Sequence, residues 1–171
     1  MIGALWHPAY VGLGSNLADP EQQIRTALAE LQRLPETVFA LRSSLYRSAA
    51  VGPAGQPDYL NAVAALVTLL APERLLEGLQ EIENAHGRDR SGERWGPRSL
   101  DLDLLAYGSV RMTGAELTLP HPRIAGRNFV LFPWSEIAPS YRVPGLGTVA
   151  ELAERVSATD PAIEKTGPTG Q

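Results

Sequence analysis

The spacing of apolar and polar residues changes along the chain, and each change marks an element. Residues 9–13 (AYVGL) read as a first strand ending in Gly14-Ser15-Asn16. Asp19-Pro20-Glu21-Gln22 is a helix start, with a capping Asp, Pro at the first helical position and Gln three residues after the cap. Ile24, Ala27, Leu28 and Leu31 then share one stripe, which predicts a helix to about residue 34. Residues 37–47 alternate as a second strand, and residues 48–57 (SAAVGPAGQP) form a long connecting loop of the kind that often carries function. The apolar run 62–70 predicts a buried strand entered through Tyr59 and Asn61, whose i, i+2 spacing sends both to one side. Pro72 opens a second helix carried by Leu75, Leu76, Leu79 and Ile82 and stopped near Gly87. Residues 88–98 read as a charged loop, 99–107 as a strand turning at Gly108-Ser109, and 110–119 as its hairpin partner. Arg127 begins a third helix that Pro133 interrupts or ends, and Thr148 caps a short last helix over 149–156. Trp134 and Ile137 read as core.

The resulting order, βαββαβ with additions, fits an α+β sandwich of ferredoxin-like type, mostly antiparallel, with helices covering the sheet. Length bounds it further: 171 residues make one domain with a sizeable core. The expected limits are a single domain over 1–158 and a flexible polar tail over 159–171.

Composition narrows the functional classes. A net charge of −4 argues against nucleic-acid binding through global charge. No apolar run approaches a membrane span and no signal-peptide pattern is seen, so a cytoplasmic protein without a membrane partner is expected. Cysteine is absent and Lys165 is the only lysine, which removes thiol chemistry and leaves no lysine within 1–158. The chain has no G-x-x-x-x-G-K-[ST] loop, and Gly12-x-Gly14 is better explained by a short turn than by a dinucleotide loop.

Candidate chemistry concentrates in residues 94–108, RWGPRSLDLDLLAYG. Asp101 and Asp103 stand i, i+2 in an apolar run, so on a strand both leave the same face. Paired carboxylates repel and are costly to desolvate, which calls for a cation between them, and a hard divalent ion such as Mg²⁺ suits oxygen ligands. Arg88, Arg90, Arg94 and Arg98 lie just upstream around Trp95, a set of planar donors suited to phosphate oxygens. Taken singly, an Asp-x-Asp facing solvent and a solvated arginine face are ordinary structural features. Together they point to a nucleotide polyphosphate. Gln80 and Glu83, neighbours at i, i+3 on the second helix, would either bind a ligand or cap arginines. His121 is held between Pro120 and Pro122, which fixes its direction.

These residues resemble the signature of the 6-hydroxymethyl-7,8-dihydropterin pyrophosphokinases of folate biosynthesis. The likeness extends through GLGSNL, GQPDYLNAV, EIENAHGR and LPHPRIAGRNFVL, in order. It implies transfer of the terminal pyrophosphate of ATP, the co-substrate, to the pterin's hydroxymethyl group with release of AMP, by a monomer. It also implies that Asp101 and Asp103 hold two Mg²⁺ ions, and that Arg88 and Arg98 stabilise phosphate charge. By the same resemblance Gln80, Glu83, Arg88, Arg90, Trp95, Arg98, Leu104, His121 and Arg127 contact ATP. Ser48, Ala49, Val51, Tyr59, Asn61, Trp95 and Phe129 form the pterin site, with Phe129 and Tyr59 stacking on the ring and the Asn61 amide reading its donor and acceptor edge. The chain departs from the family where Ser48-Ala49-Ala50 replaces a frequent Thr-Pro-Pro, which lowers the expected stiffness of that loop, and where Pro122 replaces a tyrosine seen in some members. No residue stands out as a general base. Two other readings stay open at this point: a metal-dependent phosphohydrolase and a nucleotide-binding regulatory domain.

Overall fold

The computed structural model describes residues 4–87 and 99–167. The strands are β1 (His7–Ser15), β2 (Thr37–Arg42), β3 (Leu45–Ser48), β4 (Tyr59–Thr68), β5 (Asp101–Tyr107), β6 (Met112–Thr113), β7 (Thr118–Leu119), β8 (Arg142–Val143), β9 (Gly147–Thr148) and β10 (Ile163–Gly167). The helices are α1 (Pro20–Leu31), α2 (Pro72–Ala85), α3 (Asn128–Ile137) and α4 (Val149–Glu154). The main sheet runs β10-β3-β4-β1-β5, with β2 also on β4, and its pairings are antiparallel. This is the α+β sandwich expected from the order of elements.

α1 and α4 are capped by local side chains, and all four helices bury apolar residues against the sheet. Asp19 Oδ1 accepts from Gln22 N at 3.4 Å to cap α1, and Thr148 with Glu151 closes a capping box on α4. α1 and α2 bury Ile24, Leu28, Leu31, Leu75 and Leu79 against Val11, Ala64, Leu66, Leu102 and Leu104 on one face of the sheet. α3 and α4 bury Val130, Leu131, Trp134, Val149 and Leu152 against Tyr10, Val63 and Leu105 on the other. Alternation along β1, β4 and β5 feeds both layers, which makes the sheet the shared floor of two cores.

Four sequence expectations are corrected. The strand expected over 37–47 is two strands, β2 and β3, on successive stretches of the same edge of β4. Between them Ser43 Oγ takes the hydrogen bond from Val63 N at 2.9 Å, so a side chain replaces a main-chain acceptor and breaks the ladder. The 110–119 segment does not pair with β5. β6 and β7 pair with each other, because Gly114 N bonds Leu117 O at 2.9 Å and folds the segment back on itself. Pro133 neither ends nor splits α3; with Leu131 and Trp134 fully buried around it, packing outweighs the backbone bond that proline cannot make. Finally, the polar segment from residue 159 carries β10, which extends the sheet on the free edge of β3. Polar side chains do not prevent it, because strand addition uses the backbone.

Among the described residues two ion pairs fasten β10: the exposed Arg47–Glu164 pair, at 3.4 Å, and a less exposed one at Glu136. Lys165 Nζ lies 2.8 Å from Glu136 Oε1, and the same carboxylate accepts from Ser44 N and from the Tyr46 hydroxyl. Burial would raise the Glu136 carboxyl, but the hydrogen bonds from Lys165 and Ser44 outweigh it and hold its pKa below the ordinary 4.5. Burial, and then the Glu136 charge, push Tyr46 up to about 12. A carboxyl depressed in the folded state contributes stability above its unfolded pKa and loses it as pH falls through the folded one. Lys165→Met is therefore expected to cost about 1 kcal/mol at pH 7 for this half-exposed pair, with the difference closing below about pH 4.5, as read by urea unfolding at both pH values.

Candidate active site

The candidate site begins as a gap in the side chains of the sheet. Leu102 and Leu104 of β5 turn into the α1/α2 core, so Asp101 and Asp103 leave by the other face. Across from them on β1 stand Gly14, paired with Asp101, and Gly12, paired with Asp103. On the far side of β1, Gly14 pairs with Asn61 of β4. A Cβ on Gly14 would sit 3.6 Å from Asn61 Oδ1 and 3.7 Å from Tyr59 Cδ1, filling the floor between the two polar rows. The two glycines thus lie within β1 rather than in the expected turn. They keep open a cleft bounded by Asp101, Asp103 and Arg127 on one side and by Ser48, Ala49, Val51, Tyr59, Asn61 and Phe129 on the other.

The acidic side carries its own cations. Arg127 Nη1 is 3.8 Å from Asp103 Oδ2, and its guanidinium carbon lies 5.5 Å from the centre of the Phe129 ring. His121 Nε2 is 4.0 Å from Asp103 Oδ1. Burial lowers the His121 pKa below 6.5; Asp103 opposes this, while Arg127 and Arg123 reinforce it. Its Nδ1 accepts from Arg123 N at 3.2 Å, which puts the proton of the neutral ring on Nε2, facing Asp103. His121 is thus a neutral donor near pH 7.

The slot side is built by β3, β4 and the start of α3. Asn61 is 4% exposed and donates from Nδ2 to Tyr46 O at 3.1 Å and to Ser48 Oγ at 2.8 Å. Both amide hydrogens are consumed inside the protein, so Asn61 offers a ligand its Oδ1 alone. This corrects the expectation that it reads both a donor and an acceptor. Phe129 follows the buried Asn128 at the first turn of α3, and Tyr59 opens β4.

Other expected residues lie elsewhere. Leu104 is 2% exposed in the α1/α2 core, so only its backbone can border a ligand. Glu83 is 5% exposed and its Oε2 accepts from Leu102 N at 2.9 Å, clamping α2 to β5. Gln80, on the same helix, does not line the cleft. Arg88, Arg90, Arg94, Trp95 and Arg98 lie outside the described residues. Sequence reasoning missed Gly12 and Gly14 as floor residues and Arg123 as the partner of His121. The glycines had a signal in their own i, i+2 spacing, which matches that of the two aspartates. Among the described residues no third His, Cys, Asp or Glu joins Asp101 and Asp103 in a ready ligand cluster, and no helix is long and apolar enough to cross a membrane.

Comparison with known proteins first sets the class: the chain is an ATP-dependent diphosphotransferase, a pyrophosphokinase. The model of the 7,8-dihydro-6-hydroxymethylpterin-pyrophosphokinase family matches residues 10–139, and the chain belongs to that family. It is 50% identical over 143 residues to the 2-amino-4-hydroxy-6-hydroxymethyldihydropteridine pyrophosphokinase of Pseudomonas aeruginosa, covering 84% of this chain and 88% of that one. The Haemophilus influenzae enzyme of the same name is 44% identical over 147 residues, covering 86% and 91%. Among solved structures, wild-type Plasmodium falciparum HPPK-DHPS with pteroate superposes with a TM-score of 0.69 at 12% identity, over 88% of this chain and 44% of that one. That likeness supports the ferredoxin-like α/β fold.

If Gly12 and Gly14 are the floor of the pterin slot that the family resemblance implies, a side chain there should weaken ring binding without unfolding the sheet. Gly14→Val is expected to weaken binding of 6-hydroxymethylpterin by more than about tenfold in calorimetric titration, with the thermal midpoint within a few degrees of the parent. Unchanged affinity would remove Gly14 from the site.

Proposed function

We propose that this chain transfers the terminal pyrophosphoryl group of ATP to the hydroxymethyl oxygen of 6-hydroxymethyl-7,8-dihydropterin and releases AMP. The observation that carries this reading is a single cleft in which the slot of Tyr59, Asn61 and Phe129 adjoins the Asp101–Asp103 pair, in a chain of this family. A flat ring held in the slot would direct its hydroxymethyl group along the cleft floor toward the aspartates.

The donor set suits Mg²⁺. Two carboxylates on one strand face leave the remaining coordination to phosphate oxygens and water, the pattern Mg²⁺ favours over an all-protein cage. Two ions held by Asp101 and Asp103 would neutralise phosphate charge and orient the in-line displacement. Arg127, beside Asp103 and over the Phe129 ring, would bind phosphate at the junction of the two substrates. His121 contributes a neutral Nε2–H donor. Gln80, Glu83, Leu104 and the arginines Arg88, Arg90 and Arg98, with Trp95, stay in the proposal as ATP-side residues on the family resemblance alone; Trp95 also serves the pterin there. Catalysis is by positioning and electrostatic stabilisation, with water taking the hydroxyl proton. The proposed enzyme is a cytoplasmic monomer.

Product identity tests the reading. Incubation with ATP, Mg²⁺ and the pterin should yield AMP, and only when the pterin is present. ADP, or pterin-independent ATP breakdown, would favour a phosphohydrolase, and binding without turnover a regulatory module. Asp103→Ala should reduce turnover by on the order of a thousandfold while the protein stays folded, because it removes a half-exposed ligand rather than packing. With His121 neutral above 6.5, kcat should be flat between about pH 6.5 and 8. A steep limb inside that window would mean that a titrating base has been overlooked.

A further inference from the structure

Two consecutive carbonyls in the C-terminal segment hold both sides of the ring slot. Pro161 O accepts from Asn128 Nδ2 at 2.7 Å, and Asn128 is fully buried and immediately precedes Phe129. Ala162 O accepts from Ala49 N at 3.0 Å, in the wall formed by Ser48, Ala49 and Val51. The next residue, Ile163, pairs with Ser48, whose hydroxyl in turn fixes the amide of Asn61. Asn128 also bonds Ser157 O at 2.7 Å, and Ile163 N closes back on Ala158 O at 3.0 Å, so the segment forms its own compact turn. Beyond it, β10 is fixed to the sheet through Lys165 and Glu136.

We propose that residues 157–163 are a positioning bridge that sets the spacing between Phe129 and the Ser48–Ala49 wall, and so the fit of the pterin ring. This rests on the pterin slot proposed above. The stiffness expected to be missing from Ser48-Ala49-Ala50 is supplied here by the C-terminal turn. None of the bridge residues lines the cleft, so their effect passes through Asn128, Ala49 and Ser48. Asn128 is a positioning residue, not a catalytic one.

The test uses the full chain with Asn128→Leu, which keeps the branched heavy-atom skeleton and deletes both donors. The expected result is a rise in KM for the pterin of about fivefold or more, with KM for ATP within twofold of the parent, because only the ring slot loses its brace. An unchanged pterin KM, or an equal rise for both substrates, overturns the proposal. A second measurement needs no variant. Coupling between sites is reciprocal, so saturating pterin should slow hydrogen exchange of the Ile163 amide in the parent protein, whereas an ATP analogue alone should not. If Asn128→Leu does not fold, unchanged exchange at Ile163 overturns the proposal and pterin-specific slowing upholds it. Phe129→Ala separates the two levels. If it leaves pterin KM unaltered, the slot itself is misplaced; if it raises pterin KM while Asn128→Leu does not, only the bridge fails.

Discussion

A β-strand sends successive side chains to opposite faces, and the whole molecule depends on how three neighbouring strands use that constraint. On β1, β4 and β5 one face is given to Val11, Ala64, Leu66, Leu102 and Leu104, which α1 and α2 cover. The other face is divided along its length. Near one end Tyr10, Val63 and Leu105 pack under α3 and α4; near the other, Asp101, Asp103, Gly12, Gly14 and Asn61 line the cleft. The cleft is therefore where the second helical layer stops. Its chemistry is carried by strands pinned from behind by a packed core, which limits how far any of these side chains can wander.

The electrostatics follow from the same placement. Two carboxylates on a shared face repel, and the structure answers with Arg127 and His121 at 3.8 and 4.0 Å from Asp103. Burial keeps the imidazole neutral, so, of these two partners, the guanidinium carries the full positive charge, and it also lies against Phe129. One cation thus touches the acidic half of the cleft and the aromatic half.

Much of this was legible in the sequence. The aspartate pair, the Tyr59/Asn61 pair and the helix caps are local patterns whose periods or hydrogen bonds lie within a few residues. What stayed hidden needed knowledge of a partner. Gly12-x-Gly14 reads as a turn until β1 is placed in register between Asp101 and Asn61. The split at Ser43 depends on Val63, twenty residues away. β10 carries no hydrophobic alternation at all; it exists because β3 offers an unpaired backbone edge, and composition does not record that. Pro133 misleads for the opposite reason, since local propensity forecasts a break that buried neighbours override.

Asn61 carries a consequence for inhibitors. With both of its amide hydrogens committed to Tyr46 and Ser48, its oxygen is a fixed hydrogen-bond acceptor. Rotating the amide to present its nitrogen instead would break the buried bond to Tyr46 O and set two acceptor oxygens against each other. In the ring slot proposed above, heterocycles would thus be sorted by tautomer as well as by shape: a form with an N–H facing that oxygen would be accommodated, and one with a ring lone pair there would meet another lone pair, at a cost of roughly 1–3 kcal/mol. If the slot holds the pterin as proposed, an antifolate scaffold chosen for flatness alone would satisfy its aromatic walls and still be refused by a single oxygen.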